Sequence, residues 1–170
     1  MRLVPGIMIA TICSAFNPAG AKTGNLPDDK NMPSLLSGSI GSPAFIHHVD
    51  SVYDRIGLLS YGLEREVFSK AYKGYQYLQQ KGQLRKSNLL TICDYSQSSS
   101  NKRLYVIDLV QGKLLYNTYV SHGKNSGEEF ATSFSNITNS NKSSLGFMVT
   151  AETYSGKAGY SMRLMAWKPA

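Results

Sequence analysis

The sequence predicts an α+β domain, mainly β, in which short helices come first and strands follow. Three observations support this. Leu63, Val67, Ala71, Tyr75 and Leu78 recur at spacings of four, four, four and three, one apolar face of an α-helix. From residue 87 that period stops, and runs rich in β-branched and aromatic residues begin. Between two of those runs, Val110-Gln-Gly-Lys113 supplies the turn of a β-hairpin.

Taken in order, residues 1–21 read as a leader. One positive charge precedes a short apolar run, and small residues follow, ending in Ala19-Gly-Ala21. That layout is a secretory signal peptide, with cleavage before Lys22. The competing reading is a buried N-terminal strand; export is preferred because nothing downstream pairs obviously with the run. Ile12 precedes Cys13 where lipoprotein processing wants a small residue. The apolar run is too short to span a bilayer, and no other segment is long enough. Residues 22–49, rich in Asn, Pro, Ser and Gly, read as a flexible linker. Residues 50–86 read as helical: Asp50 or Ser51 caps a short helix over 52–56, Gly57 breaks it, and Ser60 caps the next. Lys81-Gly82 ends that helix with a cation and a glycine. Strands are expected over 89–95, 103–109, 114–120, 145–154 and 160–164. A long polar loop over 121–144 suggests a functional element or lid.

Composition narrows the class. With 170 residues, 42% hydrophobic and 17% charged, the chain can form one domain with a real core. The net charge of +7 comes from scattered Lys and Arg with no compact basic run, which argues against a nucleic-acid partner. A solvated surface or a polyanionic envelope accounts for it. Of the two cysteines, Cys13 lies in the leader and Cys93 in an apolar strand run. Leader removal leaves one thiol and no intramolecular disulfide, and Cys93 reads as a small buried hydrophobe.

The densest polar stretch runs from Val120 to Asn136. Gly123-Lys124 invites a phosphate loop, but that motif needs glycine at 118 and Ser or Thr at 125, where the chain has Thr118 and Asn125. Ser121, His122 and Glu128 suggest nucleophilic catalysis, yet adjacent strand residues face opposite ways. His122 reads instead as a structural or pocket-lining histidine whose ring holds a loop backbone. His47-His48 is a pair without a third ligand nearby, so it reads as surface. Neither a metal nor a cofactor is implied.

The run from Lys102 to Gly127, Lys-Arg-Leu-Tyr-Val-Ile-Asp-Leu-Val-Gln-Gly-Lys-Leu-Leu-Tyr-Asn-Thr-Tyr-Val-Ser-His-Gly-Lys-Asn-Ser-Gly, resembles a bacterial family. So do Phe130-Ala-Thr-Ser-Phe-Ser-Asn136 and Lys142-Ser-Ser-Leu-Gly-Phe147. The family is the murein L,D-transpeptidase catalytic domain, a branch of the YkuD-like enzymes, and the likeness covers about residues 50–164. It implies a β-sandwich or barrel, here incomplete over 87–164. It also implies a cysteine thiolate that attacks a peptidoglycan stem peptide, a histidine base and a backbone oxyanion site. The expected partner is the peptidoglycan stem and the expected location the periplasm. The family's serine-glycine-cysteine motif, and the histidine-glycine pair that precedes it, do not occur. Cys93 falls on too early a strand, and His122-Gly123 matches an earlier family element. No catalytic residue is therefore carried over; His122, Lys124 and Asn125 remain as substrate-face candidates. The alternative is a non-catalytic peptidoglycan-binding or envelope structural module.

The family strand would continue beyond Leu164 as Leu-x-Gly-Leu-Glu-x-Gly, whereas the chain reads Met165-Ala-Trp-Lys-Pro-Ala170. Reading those codons one base earlier forces Gly and Glu into the second and fourth places, where the pattern wants them. The sequence thus suggests that residues 165–170 are a frameshifted tail. An incomplete gene or a short natural homologue is the plainer alternative, and sequencing the gene through this region tests the slip. An unclosed sheet would be poorly stable.

Overall fold

The computed structural model describes residues 7–11, 41–84, 88–156 and 159–167. Most of the predicted leader, Cys13 and most of the predicted linker lie outside them. Within them, the order is β1 (Ile7–Thr11), α1 (Pro43–Ile56), α2 (Arg65–Gln80), β2 (Leu89–Asp94), β3 (Leu104–Asp108), β4 (Lys113–Thr118), β5 (Gly146–Gly156) and β6 (Gly159–Ala166). The class is α+β.

Helix α1 starts at Pro43, well before the predicted cap at Asp50 or Ser51, and takes residues 43–49 out of the expected linker. The Ser42 hydroxyl accepts from the Phe45 N–H at 3.2 Å, and Pro43 stands in the first turn, where its missing N–H costs nothing. Phe45, Val49, Val52 and Tyr53 form its buried face. Gly57 ends it as expected, with φ of 71°. Ser60 does not cap the second helix; it sits inside a 3-10 turn, Leu58–Tyr61, and Glu64 is the N-cap of α2. Val67, Ala71, Tyr75 and Leu78 form the buried face of α2 as read, while Leu63, also buried, lies just ahead of the helix in the link from the 3-10 turn. Tyr53 donates its hydroxyl to the Leu63 carbonyl at 2.6 Å and so locks the link between the helices. Arg65 adds exposed ion pairs to Asp50 and Asp54, which solvent screens.

The six strands form one open sheet in the order β4-β3-β2-β1-β5-β6. All neighbours are antiparallel except β1 and β5. The described strands leave two edges, β4 and β6, so they close no barrel. Strand β1 answers the objection that the N-terminal run has no pairing partner: Ile7↔Asp94 and Ile9↔Phe147 join it to β2 and β5. The predicted β-hairpin is β3–β4. Its turn is held by the Asp108 carboxylate, which accepts from the N–H groups of Val110 (2.9 Å) and Gln111 (2.8 Å). Strand β6 runs through Ala166, and the Trp167 N–H donates to the Phe147 carbonyl at 2.9 Å. Met165 pairs with Val149, so the start of the predicted out-of-frame tail is woven into the sheet.

Strand β2 is covered on both faces, which explains its nearly unbroken apolar run. Leu90 and Ile92, with Tyr105 and Ile107, meet the helices through Phe45, Phe68, Tyr72 and Tyr75. Cys93 and the following Tyr95 meet a second cluster with Ala131, Val120, Phe134 and Leu145. Each fully buried aliphatic or aromatic side chain contributes about 1.5–3 kcal/mol, and the loop over 121–145 is thereby fastened to the sheet.

Candidate functional site

Two buried charges meet where β2 ends and β3 begins. Asp94 and Arg103 are both fully buried, and the Asp94 N–H donates to the Arg103 carbonyl at 2.9 Å. Their side chains take different partners. The Asp94 carboxylate accepts from the Ser96 N–H at 3.1 Å and from the Gln97 amide at 2.9 Å. The Arg103 guanidinium donates to the Gln97 carbonyl at 2.8 Å and to the Val120 carbonyl at 3.2 and 3.0 Å. It also lies 5.0 Å from the Tyr95 ring centre and 2.8 Å from His122 Nδ1. Gln97 therefore bridges the two charges, through its side chain on one side and its carbonyl on the other.

The loop after β4 is built by side chain and backbone bonds in place of a ladder. Ser126 is its fully buried knot. Its carbonyl accepts from the N–H groups of Thr132 (2.8 Å) and Ser133 (3.0 Å), and its hydroxyl accepts from the Ser143 N–H (2.8 Å). The Gly123 N–H donates to the Ser143 hydroxyl at 2.9 Å. A Cβ at Gly123 would stand 2.6 Å from the Asn141 carbonyl oxygen, so only glycine allows the two strands of the loop to lie this close. Lys142 reaches the Ser133 hydroxyl at 2.7 Å. The Ser98 hydroxyl ties the neighbouring loop to Glu129 at 2.7 Å.

Between these two loops lies a cleft of about 220 Å³, lined by Ser99, Ser121, His122, Gly123, Lys124 and Glu128, with Gly127. Of the three substrate-face candidates, His122 and Lys124 come together there. Asn125 does not line it: its amide donates to the Ser140 carbonyl at 3.1 Å, and its N–H to Asn141. The His122 ring lies 3.1 Å from the Gly127 carbonyl, as a histidine that holds a loop backbone should. Lys124 and Glu128 are exposed at the cleft wall, so it offers both signs of charge beside serine hydroxyls. Elsewhere, His48 packs on Tyr72 with Nε2 3.0 Å from the phenol oxygen, and His47 is exposed. Among the described residues, no three His, Cys, Asp or Glu side chains gather as a metal site would require.

Arg103 is the component that motif reading passed over. A signal for it exists: it stands two residues before Tyr105 and four before Ile107, and all three are fully buried. An arginine in phase with core residues needs several acceptors, and the polar loops on either side provide them.

A family model for the L,D-transpeptidase catalytic domain matches residues 59–169. The chain belongs to that family. No curated protein and no solved structure gives a significant match. Within this L,D-transpeptidase domain the matched region takes in α2, the hairpin, the cleft loop and β5–β6, and it extends past Leu164 into the supposed tail.

Cys93 is not an exposed thiol of this domain. It is fully buried, and burial pushes its thiol from the ordinary 9.0 up to about 11, with the Tyr95 bond and the Arg103 charge acting in the opposite direction. Because the folded value is raised, its contribution to stability is whole below pH 9.0 and is lost as pH rises towards about 11. The loss amounts to about 3 kcal/mol. Urea unfolding at pH 8 and at about pH 11 checks this: Cys93→Ala is expected to flatten the alkaline loss relative to the parent. A thiol reagent at neutral pH should label Cys93 only after unfolding; rapid labelling at Cys93 itself in the folded protein, located by peptide mapping, would contradict the burial.

Proposed function

We propose that this chain engages peptidoglycan stem peptides at the cleft bounded by His122, Lys124 and Glu128, in the periplasm, as the substrate-binding framework of an L,D-transpeptidase-like fold. The observation that carries the reading is the cleft's place: a hydrogen-bonded loop, inside the family match, presents one cation, one anion and a hydroxyl together. Stem peptides carry carboxylates and amines, and such a wall complements both. Acyl transfer of the family's kind needs an accessible thiolate. Cys93, sealed under Tyr95 and Ala131, does not supply one, so the described residues bind the stem without attacking it.

Retention on purified, insoluble peptidoglycan tests the reading. The parent should sediment with it, and Lys124→Ala combined with Glu128→Ala should weaken retention roughly tenfold, or about 1.4 kcal/mol. Equal retention of parent and double variant would remove the cleft from the account. Release of terminal D-alanine from muropeptides by the purified chain would show that a nucleophile is present after all. Export rests on the leader-like residues 1–21; cleavage before Lys22 would also remove β1, the strand that pairs with both β2 and β5. The mass of protein recovered from the periplasmic fraction reads that out directly.

A further inference from the structure

We infer that Arg103 is a positioning residue for the cleft: it holds the His122 imidazole as the Nε2–H tautomer, and that tautomer pins the Gly127 carbonyl in the cleft wall. The functional arm of this inference rests on the cleft being the stem-peptide site; the tautomer arm does not.

A guanidinium has donors only. At 2.8 Å, the contact between Arg103 Nη2 and His122 Nδ1 is a hydrogen bond only if Nδ1 is the acceptor and bears no proton. The ring proton then sits on Nε2 and is donated to the Gly127 carbonyl at 3.1 Å. The opposite tautomer would set an N–H against the guanidinium and a bare nitrogen against a carbonyl, two repulsive contacts at once. Arg103 cannot yield to it, since it is fully buried and its other donors are tied to Gln97 and Val120. Tyr95 meets the imidazole edge-on, with ring centres 6.4 Å apart, and limits its rotation.

The far end of this strut is equally constrained. Gly127 has a φ of 144°, and a Cβ there would fall 2.1 Å from the Phe130 carbonyl oxygen. Its peptide therefore sits where only glycine can, and His122 fixes the direction of its carbonyl. With both ring nitrogens engaged inside the protein, His122 neither gives a bound stem peptide a proton nor takes one. Lys124 and Glu128 are left to make the charged contacts.

The test starts with the unaltered protein, labelled with 15N. Long-range ring correlations of His122 at neutral pH should show Nδ1 unprotonated and Nε2 protonated; a protonated Nδ1 overturns the inference. Two variants then separate strut from contact. His122→Gln reaches as far as Nε2 and can still donate to Gly127, so it should restore several-fold of the retention that the shorter His122→Asn loses. His122→Asn is too short to reach Gly127 and should lose retention roughly tenfold while staying folded. Parent-like retention by His122→Asn sinks the positioning role. If the parent itself is not retained, the stem-peptide reading falls, and the ring correlations still decide whether Nδ1 is the bare nitrogen that faces Arg103.

Discussion

Arg103→Met is expected to lower the unfolding free energy by roughly 3–5 kcal/mol, out of the ~5–15 kcal/mol typical of a domain. Methionine is unbranched and fills much of the space, so little of the loss comes from a cavity. The loss comes from acceptors. The Val120 carbonyl, the Gln97 carbonyl and His122 Nδ1, all partly buried, lose the donor that fully buried Arg103 supplies. Each unsatisfied buried group costs about 1–3 kcal/mol. Urea unfolding followed by circular dichroism measures the difference. Lys102→Met is the control: Lys102 is exposed, and replacing it should change stability by no more than about 0.5 kcal/mol. A loss under about 1 kcal/mol for Arg103→Met would mean that water reaches those acceptors once the guanidinium is gone.

Gly74→Ala should destabilise the domain by roughly 1–3 kcal/mol, although helix propensity alone predicts a gain of about 1. Gly74 lies inside α2 and is buried. A Cβ there would fall 1.6 Å from Phe147 Cε1 and 1.9 Å from Cζ, so the ring must leave its place. Phe147 belongs to β5 and packs against the main core, which makes this contact one of the ties between helix layer and sheet. A fall of a few degrees in Tm is expected. Combining Gly74→Ala with Phe147→Ala should cost less than the two separate losses added together, because the second change vacates the space the first one needs. A higher Tm for Gly74→Ala would show that propensity outweighs the contact.

Both variants act where the sequence was hardest to read. The α2 face, the Gly57 and Lys81-Gly82 stops, β2, the hairpin and the extent of the long loop were legible, because each follows from spacing or turn chemistry within a few residues. The start of α1 was misplaced: Ser42-Pro43 sits in a stretch whose composition suggests a linker, and its capping chemistry was overlooked. The cleft was half legible. His122 and Lys124 belong to it, but Asn125 spends its amide on Ser140, which no local pattern announces. The family likeness supplied the peptidoglycan direction; it did not reveal Arg103.

Local chemistry by itself determined the buried face and the end of α2 and the strand runs from β2 onward, since backbone sterics and side-chain periodicity operate over short spans. Only the tertiary structure decided that β1 lies between β2 and β5, that Gly74 admits Phe147, that Cys93 is sealed beneath Ala131, and that a guanidinium reaches His122. Those outcomes join segments far apart in the chain. Their energies depend on which distant atoms fill a space or accept a hydrogen bond, and spacing along the sequence does not encode that.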